Sequence, residues 1–221
     1  MKKILSLLVF ALTLVLLAGC PSAPQIKKEP VFKQLPEDTI EHGASGMQFP
    51  ASIGEFTRVK MLRYNDGGTD VSGGYNLYAA NGRDCLVAAT IYVYPAPRLR
   101  SFGSPQNVVD AARNTLFQNT YQKAKNEIIQ YHPGAKVLSE TPSQPPNQSA
   151  QTTGIHAQFS YMEDFAGKVC PVESHLYLYG YVNDYWLVKY RISLPEDTSN
   201  EARQKLDEFL KSIKWTITPR G

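Results

Sequence analysis

The sequence predicts a single α+β domain: an antiparallel β-sheet of about six to seven strands with two main helices packed on it. Three observations support this class. Short alternating or apolar runs are joined by tight-turn signals, two stretches have the apolar spacing of amphipathic helices, and the helices do not alternate regularly with the strands. Grouped helices and turn-linked strands are typical of an antiparallel sheet rather than a parallel one.

Three strands are predicted before the first helix. Thr57 to Tyr64 alternates partly and ends at the turn signal Asn65-Asp66-Gly67-Gly68. Val71 to Ala80 follows, and Asn81-Gly82 is a strong hairpin signal. Cys85 to Tyr94 is apolar at both alternating positions, so we expect this strand to be covered on both faces.

The first helix is predicted from Ser104-Pro105, an N-cap with proline at the first helical position, to Pro133-Gly134. Its apolar residues recur every three to five positions and form one stripe. The members of the stripe are Val109, Ala112, Leu116, Tyr121, Ala124, Ile128 and Tyr131.

The second half of the domain is predicted to contain further strands and a closing helix. A short strand is predicted from Lys136 to Glu140, followed by a polar loop over residues 141–153. The next strands are Gly154 to Met162, Val172 to Val182 and Tyr185 to Ile192. A capping box of Thr198 and Glu201 starts the closing helix, which ends near Trp215.

The ending from Trp186 to Trp215, WLVKYRISLPEDTSNEARQKLDEFLKSIKW, resembles the close of PsbP-like and DcrB-like domains. The opening MQFPASIGE, from Met47 to Glu55, fits the same order of elements. The resemblance implies a sheet flanked by helices and a role that is accessory or related to assembly rather than catalytic. It transfers no functional residue to this chain, which differs by its loop at 141–153 and its cysteine pair.

The first twenty residues resemble a bacterial lipoprotein signal peptide. Lys2-Lys3 precede an apolar run from Ile4 to Ala18, and Leu17-Ala18-Gly19-Cys20 has the pattern of a lipobox. The resemblance implies cleavage before Cys20 and attachment of palmitate-like acyl chains to its thiol. We therefore expect a signal peptide at 1–19, the lipidated Cys20 with a flexible Pro-rich tether at 20–46, and one domain at 47–221.

The lipoprotein assignment predicts a location in the bacterial cell envelope. An outer membrane is favoured where the cell has one, because Pro21 rather than aspartate follows Cys20. The domain would then face the periplasm or the exterior.

Charge restricts the partners. The chain has 23 basic and 20 acidic residues, and the leader holds two of the basic ones, which leaves 21 against 20. Nucleic acid is excluded as a partner, because it needs a concentrated basic surface. The acyl chains predict contact with the membrane, while the other partner is an unidentified envelope protein, peptide or glycan. No cofactor is expected.

Cys85 and Cys170 are the two cysteines that remain beside Cys20. An even pair in an exported domain predicts a disulfide. The alternative is two free thiols that pack as small hydrophobic groups.

No catalytic residue and no metal site are predicted. Ser160 and His156 share one strand face, and His175 and Glu173 lie on another strand, but no Gly-x-Ser-x-Gly turn presents a nucleophile. The four histidines lack metal-ligand spacing. A hydrolase of envelope substrates is therefore an alternative function rather than the leading one.

Tyrosine is the most unusual feature of the composition, with 13 residues. Tyr177, Tyr179 and Tyr181 alternate along one strand, and Tyr92 and Tyr94 do so on another. The first three form a possible binding surface, because tyrosine offers an apolar ring with a polar tip; the alternative is that they cover a sheet face. We expect a lipid-anchored protein with a non-enzymatic binding or assembly-accessory domain. A purely structural envelope component is the third hypothesis.

Overall fold

The computed structural model describes residues 30–100, 103–145 and 152–217. Its elements follow in chain order: β1 Phe32–Leu35, β2 Thr39–His42, β3 Gln48–Phe49, β4 Ser52–Ile53, β5 Phe56–Arg63, β6 Val71–Tyr78, β7 Cys85–Pro95, α1 Gln106–Tyr131, β8 Lys136–Pro142, β9 Thr153–Phe165, β10 Lys168–Val182, β11 Trp186–Pro195 and α2 Asn200–Ser212.

The main sheet has eight strands in the order β4-β5-β6-β7-β11-β10-β9-β8, and all its pairs are antiparallel. It consists of two meanders that meet at β7 and β11, a junction that we call the seam. The α+β prediction with an antiparallel sheet and two helices is therefore confirmed. The sheet has more strands than predicted, and β1, β2 and β3 form a further three-stranded sheet.

Both faces of the main sheet carry a core. Along β11, Trp186, Val188 and Tyr190 belong to the first core, together with residues of α2. Leu187, on the opposite face, belongs to the second core under α1. Side chains alternate across a strand, so a central strand with helices on both sides needs apolar residues at both alternating positions. The apolar residues at both alternating positions of β7 correctly predicted that a central strand is covered on both faces.

The helices begin one residue from their predicted starts. Pro105 is the N-cap of α1, and Ser199, which accepts a hydrogen bond from the Ala202 amide at 3.2 Å, is the N-cap of α2. Phe117 is a core residue of α1, whereas Tyr131 at the predicted end of the stripe is 81% exposed. Neither helix in the described ranges has an apolar stretch long enough to cross a lipid bilayer.

The structure differs from the sequence prediction at residues 30–46, which the composition assigned to a flexible tether. Strands β1 and β2 lie in this range, and His42 at the end of β2 is fully buried. The His42 ring bonds the Ser45 hydroxyl and the Gly68 carbonyl, each at 2.7 Å, and meets the Trp186 ring edge-on. The folded part therefore includes this segment. The signal peptide at 1–19 and Cys20 lie outside the described residues.

Candidate functional site

The three predicted surface tyrosines do not share one face. Tyr179 is 3% exposed in the first core, and Tyr177 is half-buried beside it. The register of β10 against β11 shifts between Tyr179 and Val182, and Tyr181 has a φ of 55°. This bulge reverses the alternation, so that Tyr181 packs against the second core and Val182 joins the first. The predicted tyrosine surface is therefore wrong, because one bulge splits it between two faces.

The predicted disulfide is also wrong, since Cys85 and Cys170 are free thiols. Cys85 lies on β7 and Cys170 on β10, and β11 separates these strands in the sheet order. Two strand spacings are about 10 Å, whereas the Cα atoms of a disulfide lie within about 7 Å. Burial raises the pKa of the Cys85 thiol.

The hydrogen-bonded histidines are the first polar cluster that the fold assembles. His175 Nε2 lies 2.9 Å from Glu173 Oε1, and His175 Nδ1 lies 3.0 Å from His156 Nε2. Arg203 on α2 donates to the other Glu173 oxygen at 2.6 Å. Burial lowers the pKa of both imidazoles, that of His156 to about 4, so both are neutral at neutral pH.

This histidine cluster lacks a nucleophile. Ser160 is four residues from His156 along β9, a distance of about 13 Å, and its hydroxyl donates to Glu196 instead. Within the described ranges, no group of three or more His, Cys, Asp or Glu side chains could hold a metal ion. The cluster links β9, β10 and α2 through Glu173, which is a structural arrangement.

A cleft lies on the other face of the sheet, between α1 and the seam. Its two lobes have volumes of about 300 and 280 Å³ and share Tyr92, Ala124, Glu127 and Lys189 in their lining. Tyr64 and Tyr94 line the first lobe, and Arg191 lines the second. Ligand sites in proteins begin at about this size. We call it the α1 cleft.

The register of β7 against β11 places the tyrosines beside the cations. Lys189 is directly opposite Tyr92, and Leu187 is opposite Tyr94. The Lys189 ammonium lies 4.2 Å from the centre of the Tyr92 ring and 5.8 Å from that of Tyr94. These are cation–π contacts, which hold a cation without neutralising its charge.

Neither cation of β11 has a full set of partners. Lys189 has no hydrogen bond or salt bridge to any residue that the structure describes. Arg191 donates from Nη2 to Ser174 Oγ at 3.3 Å, but its Nε is buried without a hydrogen-bond partner. Buried polar groups are nearly always paired, so the Arg191 Nε is an exception. Lys189 is half-buried.

Burial shifts the pKa values of several residues that line the cleft. It lowers the pKa of Lys189 and of Arg191, and it raises the pKa of Tyr92 to about 12. Burial also raises the pKa of Asp70, which lines the first lobe. Shifted pKa values grouped in one cleft are typical of binding and catalytic sites.

Sequence reasoning found half of this site. It noted that Tyr92 and Tyr94 share a face, but Lys189 and Arg191 stand at alternate positions of a strand and have the pattern of solvent-exposed residues. Only the pairing of β7 with β11 and the position of α1 bring the four together. The signal that could have found them is a pair of basic residues facing a pair of tyrosines in register.

Comparison with known protein families and with curated proteins gave no match. The likeness to lipoprotein signals and to PsbP-like and DcrB-like domains therefore stays a prediction from the sequence.

Proposed function

We propose that this chain is a lipid-anchored protein of the bacterial cell envelope whose domain binds a ligand in the α1 cleft and catalyses no reaction. The observation that carries the binding role is Lys189: a half-buried ammonium without a salt bridge to any described residue, held against tyrosine rings in an open cleft. Partial burial of a charge without a salt bridge costs free energy. A protein that keeps such a charge in a ligand-sized cleft is best explained by a ligand that pairs with it.

The alternative functions have weaker support. A hydrolase would need a nucleophile beside the histidine cluster, and the hydroxyl of Ser160 is directed to Glu196. A purely structural component would have no use for unpaired cations in a cleft. Binding therefore leads over both alternatives, and an assembly-accessory role would act through the same bound ligand.

The anchor is tested by fractionation of cells that express the Cys20→Ser variant. We expect this variant to leave the membrane fraction or to remain an uncleaved precursor, since the acyl chains have no other attachment thiol at the cleavage site. Cys170→Ser is the matched control and should fractionate like the wild type. Unchanged processing and membrane retention of Cys20→Ser would refute the lipid anchor.

The binding role is tested by native mass spectrometry of the protein purified from its own envelope under gentle conditions. We expect a small-molecule adduct on the wild type that is lost from the Lys189→Met variant. Lys189 is half-buried, and replacing a desolvated charge by an apolar side chain of similar volume is often neutral or stabilising, so this variant should fold. Lys125→Met is the control, because Lys125 pairs with Glu140, which does not line the cleft, at 3.0 Å. Equal adducts on all three proteins, or none on any, would contradict a ligand in the α1 cleft.

A further inference from the structure

We infer that the ligand of the α1 cleft is a small anion: a carboxylate or phosphate group carried on an apolar ring, with the anionic group seated between Lys189 and Arg191. This inference rests on the proposed binding function and specifies its ligand class. It depends on three features of the cleft: the positions of the cations, the lack of a salt bridge to either of them from the described residues, and the chemistry of the walls.

The two cations lie side by side on one face of β11. Lys189 and Arg191 are two positions apart in the strand, so both point to the α1 side, and both line the second lobe. Arg191 has an Nε–H without a protein partner, and the Lys189 ammonium forms no hydrogen bond or salt bridge with a described residue. Hydrogen bonds from charged donors to an anion are stronger than those between neutral groups, and guanidinium matches the planar geometry of carboxylate and phosphate.

Glu127 and Asp70 attract Lys189, and Glu163 attracts Arg191, but none of these carboxylates lies within salt-bridge distance of either cation. Asp70 lies in the first lobe and Glu127 in both, yet neither forms a salt bridge with a described residue. The cleft also carries Lys123, which leaves three cationic side chains against two carboxylates. An anionic group is therefore attracted to the cleft, whereas a cationic or neutral group leaves Lys189 unpaired.

The tyrosine rings in the walls of the cleft favour a ligand whose anionic group is attached to a flat apolar ring. Tyr64 and Tyr92 lie with ring centres 5.9 Å apart, and Tyr94 lines the same lobe next to the helix residues Thr120 and Ala124. Tyrosine rings give an apolar surface that packs well against a flat ring. A lobe of about 300 Å³ admits a single ring rather than a folded peptide. The ring would occupy the first lobe and the anionic group the second, and Lys189 lines both lobes.

The inference is tested with four defined probes at constant ionic strength: benzoate, phenyl phosphate, benzamide and inorganic phosphate. Binding to the purified protein is followed by NMR of its ¹³C-methylated lysines, in which the Lys189 signal is assigned from the Lys189→Met variant. We expect benzoate or phenyl phosphate to move the Lys189 signal and to bind at least about tenfold more tightly than benzamide. A preference between the first two assigns carboxylate or phosphate, and weak binding of inorganic phosphate alone supports the role of the ring.

The variants complete the test. Lys189→Met and Arg191→Met should each weaken anion binding about tenfold or more, while Lys125→Met leaves it unchanged. Equal binding of benzoate and benzamide, no change in Lys189→Met, or no binding of either anionic ring compound up to millimolar concentration would overturn the anionic class. An adduct in native mass spectrometry that is neutral and still requires the cleft would leave the binding function standing while this inference fails.

Discussion

At the scale of single residues, His42 shows how a polar side chain can belong to the core. Its two ring nitrogens bond Ser45 and the Gly68 carbonyl, and its ring packs against Trp186. Removing the ring would take the donor from the Gly68 carbonyl and one of the partners from the Ser45 hydroxyl, which also accepts from the Met47 amide. The loss of a donor to a buried carbonyl costs more than the loss of the ring contacts alone.

We expect His42→Ala to lower the free energy of unfolding by about 2–4 kcal/mol, measured by urea denaturation. Glu41→Ala on the same strand is the control. Glu41 is half-buried, and its carboxylate lies 3.8 Å from the Lys33 ammonium, so its loss should cost no more than about 1 kcal/mol. A negligible effect of His42→Ala would mean that residues 30–46 contribute little to the fold.

The histidines also predict the response to acid. Burial lowers the pKa of His42, His132, His156 and His175 below the ordinary value of 6.5, and that of His156 reaches about 4. The unfolded chain therefore takes up protons first as the pH falls. The stability that these groups contribute is fully present above pH 6.5 and is lost between pH 6.5 and about 4.

We expect urea denaturation to show a free energy of unfolding about 1–2 kcal/mol lower at pH 5 than at pH 7.5, an amount reduced because the histidines are only partly buried on average. His156→Gln should reduce the dependence on pH in this range. Carboxylates with lowered pKa values, such as Glu140, act at lower pH and do not mask the effect. A stability that is constant from pH 7.5 to 5 would contradict neutral buried imidazoles.

At the scale of elements, the docking of α1 depends on a glycine. A Cβ on Gly180 of β10 would overlap the ring of Phe117, which is 1% exposed and has little room to move. Gly180 therefore permits the close approach of helix and sheet that forms one wall of the α1 cleft.

We expect Gly180→Ala to cost about 1–3 kcal/mol in thermal or urea unfolding. Gly67→Ala is the matched control, because no atom lies closer than 4.0 Å to its added Cβ. Phe117→Leu in the Gly180→Ala background should recover part of the loss, since a smaller side chain relieves the overlap. If both glycine variants behave alike, the contact with Phe117 does not limit the packing of α1.

The helices and most strands could be predicted from the sequence, whereas the pairing of distant strands could not. Turn signals and apolar periods predicted the helices and most strands, because these patterns depend only on residues that are neighbours in the sequence. The bulge at Tyr181 and the position of β11 between β7 and β10 depend on pairing between distant segments. The bulge overturned the tyrosine surface. The position of β11 overturned the disulfide and placed Lys189 beside Tyr92 in the α1 cleft. The strands β1 and β2 were missed because their Pro-rich, charged composition resembles a linker.

At the scale of the whole molecule, the seam determines how the chain folds. Ile91 pairs with Tyr190 there, so the centre of the sheet joins segments about a hundred residues apart. Folding that depends on such distant pairing is slow, in the range of milliseconds to seconds.

Trp186 is a probe of the seam, because it lies on β11 opposite Pro95 and is fully buried. We expect stopped-flow refolding of Trp215→Phe, which leaves Trp186 as the only tryptophan, to show its native fluorescence in a slow phase of milliseconds to seconds. A native-like signal within the dead time would contradict late closure of the seam.

The position of the seam has a consequence during synthesis. Strand β7 leaves the ribosome about a hundred residues before β11, which takes about 5–20 s at ordinary rates of translation. Throughout that interval the nascent chain presents an unpaired edge formed by one of its most apolar strands, and such edges recruit strands of other molecules. The edge of β7 is therefore most open to pairing with other molecules during the interval before β11 is made.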